Sequence, residues 1–220
     1  MATTVRERIY QTIKDEIYYG KLSPGERLVE SKLVAQFKSS RSPIREALRQ
    51  METEGLVTFE HNKGFTVSKL SIQEVSEIYD LLWLLESYAA RLSSQRVTKE
   101  DIKYLCDVQK KLYVAVKNYD LEAWIQNNYL FHEFFPQHSG NRTLERTIEA
   151  NYSRIHQFRY TIATIPTHFK DYLEQHERIL KWVKLNNGKM VEEYMRVHIQ
   201  KVKEALVAGL SEKKQHQRLI

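Results

Sequence analysis

The chain has 220 residues, 42% of them hydrophobic and 28% charged, a composition that supports two small domains with real cores. Its formal net charge of +6 permits a polyanionic partner without requiring one. No apolar run approaches the roughly eighteen residues of a membrane span, and the start Met1-Ala2-Thr3-Thr4-Val5-Arg6-Glu7 lacks a secretory leader's apolar middle, so the chain is expected in the cytoplasm and away from membranes. Its one cysteine, Cys106, excludes an internal disulfide.

Ile9, Ile13 and Ile17 recur every four residues, which predicts an amphipathic helix stopping near Gly20. Ser23-Pro24-Gly25-Glu26 reads as a turn, and Glu30 to Phe37 as a short helix with Leu33 and Val34 inward. The next run, Ser40-Arg41-Ser42-Pro43-Ile44-Arg45-Glu46-Ala47-Leu48-Arg49, is the most informative in the chain. Ser42 is expected to cap a helix, with Pro43 in its first position and an end near Gly55. Arg45 and Arg49 then share one face, with Arg41 just ahead of the helix mouth, while Ile44, Ala47, Leu48 and Met51 fall on the other side. A positive helix end carrying guanidinium groups and small hydroxyls suits phosphates and guanine edges, although a solvated charged face has the same pattern. Residues 1 to 70 hold twelve Lys/Arg against nine Asp/Glu, a net of only +3, so local placement carries the nucleic-acid reading. Leu56-Val57-Thr58-Phe59 and Phe65-Thr66-Val67 flank His61-Asn62-Lys63-Gly64 as a β-hairpin, and His61 beside Lys63 at its tip fits a phosphate contact. Three helices and a hairpin over residues 1–70 make a winged helix-turn-helix.

Beyond residue 70 the sequence is almost unbroken helical periodicity. Ser71-Ile72-Gln73-Glu74 has the capping-box pattern and opens a helix through Ile78, Leu81, Leu82 and Leu85 to about Leu92. Another starts at Thr98-Lys99-Glu100-Asp101, and others run from Asp120 to Phe135, Arg142 to Ala163, Phe169 to Leu185 and Met190 to Leu210. Residues 71–220 are therefore expected to form an all-α antiparallel bundle of about six helices, with a frayed tail from Ser211 to Gln217, and the fold class is mainly α. Asn128 and His132 lie one turn apart on one predicted helix, and His176 and His198 lie on two others. Their convergence would make a metal site, although spacing alone also suits packed or exposed histidines. Trp83, Tyr129 and His156 are candidates for lining a small-ligand pocket, most aromatic residues being core.

The ordered motifs from Leu22-Ser23-Pro24-Gly25-Glu26-Arg27-Leu28 through Ser40 to Leu48, then Glu54-Gly55-Leu56-Val57 and Asn62 to Val67, resemble those of the GntR family of bacterial transcription regulators. Phe131-His132, Ser139-Gly140-Asn141, Gln175-His176 and Met195-Arg196-Val197-His198 give the remainder a resemblance to the FCD type of effector domain in the FadR subgroup. The resemblance implies DNA contacts from Arg41, Arg45 and Arg49, with Ser40 and Ser42 near phosphates or base edges and Gly64 letting the wing tip approach the minor groove. It also implies a divalent metal at Asn128, His132, His176 and His198, the positions of an Asp and three His in many FCD domains. Asn128 removes a negative charge there, which disfavours manganese and magnesium and favours zinc or nickel. Leu82 stands where many relatives carry an arginine near the pocket. The implied function is a ligand-responsive regulator that binds palindromic double-stranded operator DNA as a homodimer, with a small carboxylate effector. Two alternatives are a bundle that only dimerises, without metal or effector, and a metal-dependent hydrolase, for which no His-Glu-x-x-His pattern supplies a base.

Overall fold

The isoleucine repeat folds as its period demands. In the computed structural model, which describes residues 4–18, 20–155, 158 and 169–216, α1 (Val5–Tyr18) buries Ile9, Ile13 and Ile17. They share one core with Leu33 of α2 (Glu30–Phe37) and with Ile44, Ala47, Leu48 and Met51 of α3 (Arg41–Thr53). Between α2 and α3 the chain reverses at Lys38, whose φ of 49° lets the Lys38 and Ser39 amides donate back to the Ala35 and Val34 carbonyls.

The start of α3 differs from the capping expectation. Ser40 takes the extended N-cap conformation without a side-chain cap bond, and Ser42 lies inside the helix, where its Oγ donates to Glu46 Oε1 at 3.0 Å. Pro43 is thus the third helical residue. A proline fits there because the first N–H groups of a helix have no intrahelical acceptor. At the other end Gly55, with φ 75°, allows the Leu56 amide to donate to the Met51 carbonyl, a closure that needs left-handed backbone.

Three short antiparallel strands complete this unit: β1 (Arg27–Leu28), β2 (Val57–Glu60) and β3 (Gly64–Val67), in the order β1-β3-β2. Val57 pairs with Val67 and Glu60 with Gly64, while Arg27 and Leu28 pair with Thr66 and Phe65. β1 was not expected, since two residues show no periodicity. Phe65 and Val67 point into the core from alternate positions of β3.

The chain divides into Met1–Ser71 with Tyr152–Gln157 and, as a second unit, Ile72–Asn151 with Phe158–Ile220. Among the described residues six helices follow residue 71: α4 (Ile72–Ser94), α5 (Lys99–Lys117), α6 (Leu121–His138), α7 (Arg142–Ile155), α8 (Phe169–Lys184) and α9 (Gly188–His216). Thr98 and Asp101 form a reciprocal capping box on α5, and the Asp120 carboxylate accepts from the Ala123 amide at the start of α6. α6 continues past the expected stop through Pro136, where Phe131, Phe134 and Phe135 are buried and packing outweighs the lost backbone bond. The expected continuation from residue 156 to Ala163 lies outside the described residues. α9 begins at Gly188, where Asn187 Oδ1 accepts from the Met190 amide, and extends to His216 in place of a tail frayed from Ser211. Nothing between Ser211 and Gln215 breaks a helix, and Glu, Lys and Gln favour one. Within this unit α9 packs extensively along α4, and α6 and α8 pack on α5.

Leu48 is wholly buried. Leu48→Ala should lower the stability of the first unit by about 2–5 kcal/mol, read as an earlier urea transition, whereas Arg41→Ala on the exposed side should move it by less than about 0.5 kcal/mol.

Candidate functional site

The exposed side of α3 follows directly from its buried side. Arg41, Ser42, Arg45, Glu46 and Arg49 line an open depression that Arg6 of α1 completes. The sequence reading missed Arg6 because α1 was read for its isoleucines alone. Arg45, whose side chain is 63% exposed, donates from Nε to Glu30 Oε2 at 2.8 Å. Arg49 donates from Nη1 to Glu52 Oε2 at 2.7 Å, and its guanidinium lies over the Phe59 ring, 4.5 Å from the centre. Ser40 and Arg41 are exposed at the helix start.

At the hairpin tip His61 and Lys63 are exposed. His61 Nδ1 bonds Asn62 Oδ1 at 3.1 Å, and Lys63 Nζ donates to Glu60 Oε2 at 2.6 Å. Gly64 has φ 81°, and a Cβ there would meet nothing within 4 Å, so conformation rather than space selects glycine. The α3 face presents Arg6, Arg41, Arg45 and Arg49 and the hairpin tip presents Lys63, side chains chemically suited to a phosphate backbone.

In the second unit, α6, α8 and α9 bring His132, His176 and His198 together, their nearest ring nitrogens all within 4.8 Å of one another. All three are buried. His198 Nε2 lies 3.1 Å from His132 Nε2 and 3.3 Å from His176 Nε2. The opposite nitrogens are engaged from outside: Glu86 Oε1 of α4 accepts from His132 Nδ1, and Gln175 Oε1 accepts from His198 Nδ1 at 2.9 Å. With Nδ1 carrying the proton, the Nε2 lone pairs of His132 and His198 face each other and repel unless a positive species lies between them. Phe131 stacks on His176 at 3.9 Å, and His176 Nδ1 is buried with no hydrogen-bond partner among the described residues. This donor set fits a borderline metal ion: three neutral imidazoles, two of them oriented by a second group. Burial holds His176 and His198 well below the ordinary histidine pKa, and neighbouring imidazoles push further in the same direction.

The remaining candidates are dispersed. Asn128 is half-buried one turn before His132 on α6. Tyr129, also half-buried, donates from its hydroxyl to Glu133 Oε1 at 2.6 Å. Trp83 lies under the Arg196 guanidinium, 5.0 Å away. His156 is outside the described residues, and Leu82 is wholly buried in the core. Glu86 escaped the sequence reading, though a signal existed: it stands four residues after Leu82 on the stripe that α4 buries.

Residues 5–67 match the gntR family of bacterial regulatory proteins, and residues 77–201 match the FCD domain. The uncharacterized HTH-type transcriptional regulator YdhC of Bacillus subtilis is 30% identical over 213 residues, covering 95% of this chain and 94% of its own. The HTH-type transcriptional repressor RspR of Escherichia coli is 24% identical, covering 92% of this chain and 89% of its own. Among solved structures, Escherichia coli McbR/YncC shares the fold with a TM-score of 0.82 at 24% identity, over 94% of this chain and 98% of that one.

The depressed histidine pKa values set a pH dependence. Below about pH 6.5 the unfolded chain takes up protons that buried His176 and His198 resist, so the stability of the metal-free protein falls as pH drops through that range. Chemical denaturation at pH 7.5 and 5 should show this loss, and a His176→Gln, His198→Gln double variant should show less of it; equal losses would contradict the assignment.

Proposed function

This chain belongs to the GntR family of bacterial regulatory proteins and carries an FCD domain, and from that premise we propose how a DNA-binding transcription regulator of this kind works with these particular residues. It acts as a homodimer in the cytoplasm on palindromic operator DNA. Each first unit inserts α3 into a major groove, with Arg41, Arg45 and Arg49 as the cations and Ser40 and Ser42 beside the phosphates. His61, Lys63 and Gly64 bring the wing to the adjacent backbone. The cationic face of α3, open around Arg41, Arg45 and Arg49 and completed by Arg6, is the observation that carries this reading.

Pairing of two copies is favoured because one recognition helix reads only a few base pairs. Leu81, Leu84 and Tyr88 support it: they are exposed and recur at three and four residues along one stripe of α4. The relatives are regulators, and the family is one of regulators rather than enzymes.

The second unit responds to a small carboxylate effector. His132, His176 and His198 would hold a divalent ion, with Asn128 one turn away on α6 as a neutral oxygen donor. Neutral donors favour zinc or nickel over manganese or magnesium. When bound, such an ion supplies a Lewis-acidic point to which an effector carboxylate binds. Glu86 and Gln175 keep the His132 and His198 rings turned so that Nε2 faces inward, and Phe131 holds the plane of His176. Leu82, buried and apolar, offers that effector no cation, so specificity falls to the imidazole cluster and its surroundings. Effector binding shifts the balance between arrangements of the dimer that do and do not fit the operator spacing.

Two measurements test these roles. Arg45→Ala should weaken binding to the preferred operator by about 1–3 kcal/mol in a band-shift titration; unchanged affinity would refute its role. Metal analysis of purified protein should find zinc or nickel in the wild type and much less in His132→Ala, and negligible metal in both would remove the metal from the mechanism.

A further inference from the structure

The guanidinium groups of α3 are not equivalent, because different nitrogens of each are committed. Arg45 uses Nε on Glu30, and no hydrogen bond within the described residues engages its Nη1 or Nη2. Those two terminal nitrogens form the fork that matches guanine O6 and N7. Arg49 is engaged differently: Nη1 is on Glu52, and the flat face of the group lies over Phe59 of β2 and within 5.4 Å of the Phe65 ring centre in β3. One of its terminal nitrogens is thus taken, and its stacking ties α3 to the hairpin.

We propose that Glu30 is the specificity-determining positioning residue of this surface, aiming the free fork of Arg45 at a base edge, and that Arg49 positions the wing rather than reading bases. The inference rests on the proposal that α3 reads DNA. Glu30 stands in the first turn of α2, and the Arg45–Glu30 pair crosses from α2 to the recognition helix. Its carboxylate repels every phosphate it approaches, whatever the sequence, and so opposes non-specific binding. By fixing Arg45 it favours one class of base pair. Both effects raise discrimination, and neither requires Glu30 to touch DNA.

The test begins with wild-type protein selecting its preferred duplex from a random pool. Affinities for that duplex and for a shuffled one of equal composition are then measured for the wild type, Glu30→Ala, Glu30→Gln, Arg45→Ala and Arg49→Ala, each checked for an intact melting transition. Glu30→Ala should reduce the selected-to-shuffled ratio on the order of ten-fold, the shuffled affinity holding or rising. Glu30→Gln, which keeps an acceptor for Arg45 Nε, should restore most of the ratio. Arg49→Ala should weaken both duplexes by similar factors. A Glu30→Ala protein whose two affinities move together, or do not move, overturns the role of Glu30. An Arg49→Ala ratio as low as that of Arg45→Ala overturns the division between the arginines. A wild type that selects no sequence overturns the DNA reading itself, and the inference with it.

Discussion

The packing of α3 on α1 is the contact from which the rest of the first unit takes its meaning. Ile44, Ala47, Leu48 and Met51 are wholly buried in the core that contains Ile9, Ile13 and Ile17, so α3 cannot rotate about its own axis without exposing them. That constraint fixes where Arg41, Arg45 and Arg49 emerge. The same core takes in Phe65 and Val67, which places the hairpin against α3 and brings Phe59 beneath the Arg49 guanidinium. Cation placement on this surface is a product of apolar packing.

The second unit solves the opposite problem. It buries polar groups where apolar ones would pack more simply: Glu86, His132, His176, His198 and Gln175 all lie in its interior. Burying such groups is costly unless each finds a partner, and here Glu86 takes His132 while Gln175 takes His198. What remains is three Nε2 atoms drawn together and the Nδ1 of His176, which has no hydrogen-bond partner among the described residues. A bundle needing only stability or a dimer interface would have no reason to hold such an arrangement, which weighs towards a ligand-binding role for this unit.

Much of this was legible in the sequence because it follows local periods. The isoleucine repeat, the arginine face, the glycine at the end of α3 and the helix start at Thr98 each depend on residues three to five apart. Boundaries were less legible. Pro43 suits any early position of a helix, and Pro136 is overridden by the burial of neighbouring phenylalanines. The histidines could be set on separate helices, but their convergence depends on packing that no spacing encodes. The orienting groups were hardest to find. Glu86 meets His132 across 46 positions, and Glu30 meets Arg45 across 15, so no local pattern joins them. Only the presence of a carboxylate on the buried stripe of α4 hinted at the first.

The intramolecular ion pairs also bear on how this surface responds to its medium. Arg45, Arg49 and Lys63 are each already matched with a carboxylate, Glu30, Glu52 and Glu60 respectively. Where such a cation meets a phosphate it exchanges one anion for another, or shares itself between two. A bare lysine or arginine would neutralise a fresh charge and release one counterion from the duplex for each contact. Under the proposed DNA-binding role, binding to this surface would therefore be less sensitive to ionic strength than a count of its basic residues suggests. A larger share of the total binding energy would then come from base edges and shape, and a smaller share from the uniform attraction between a positive protein and a polyanion.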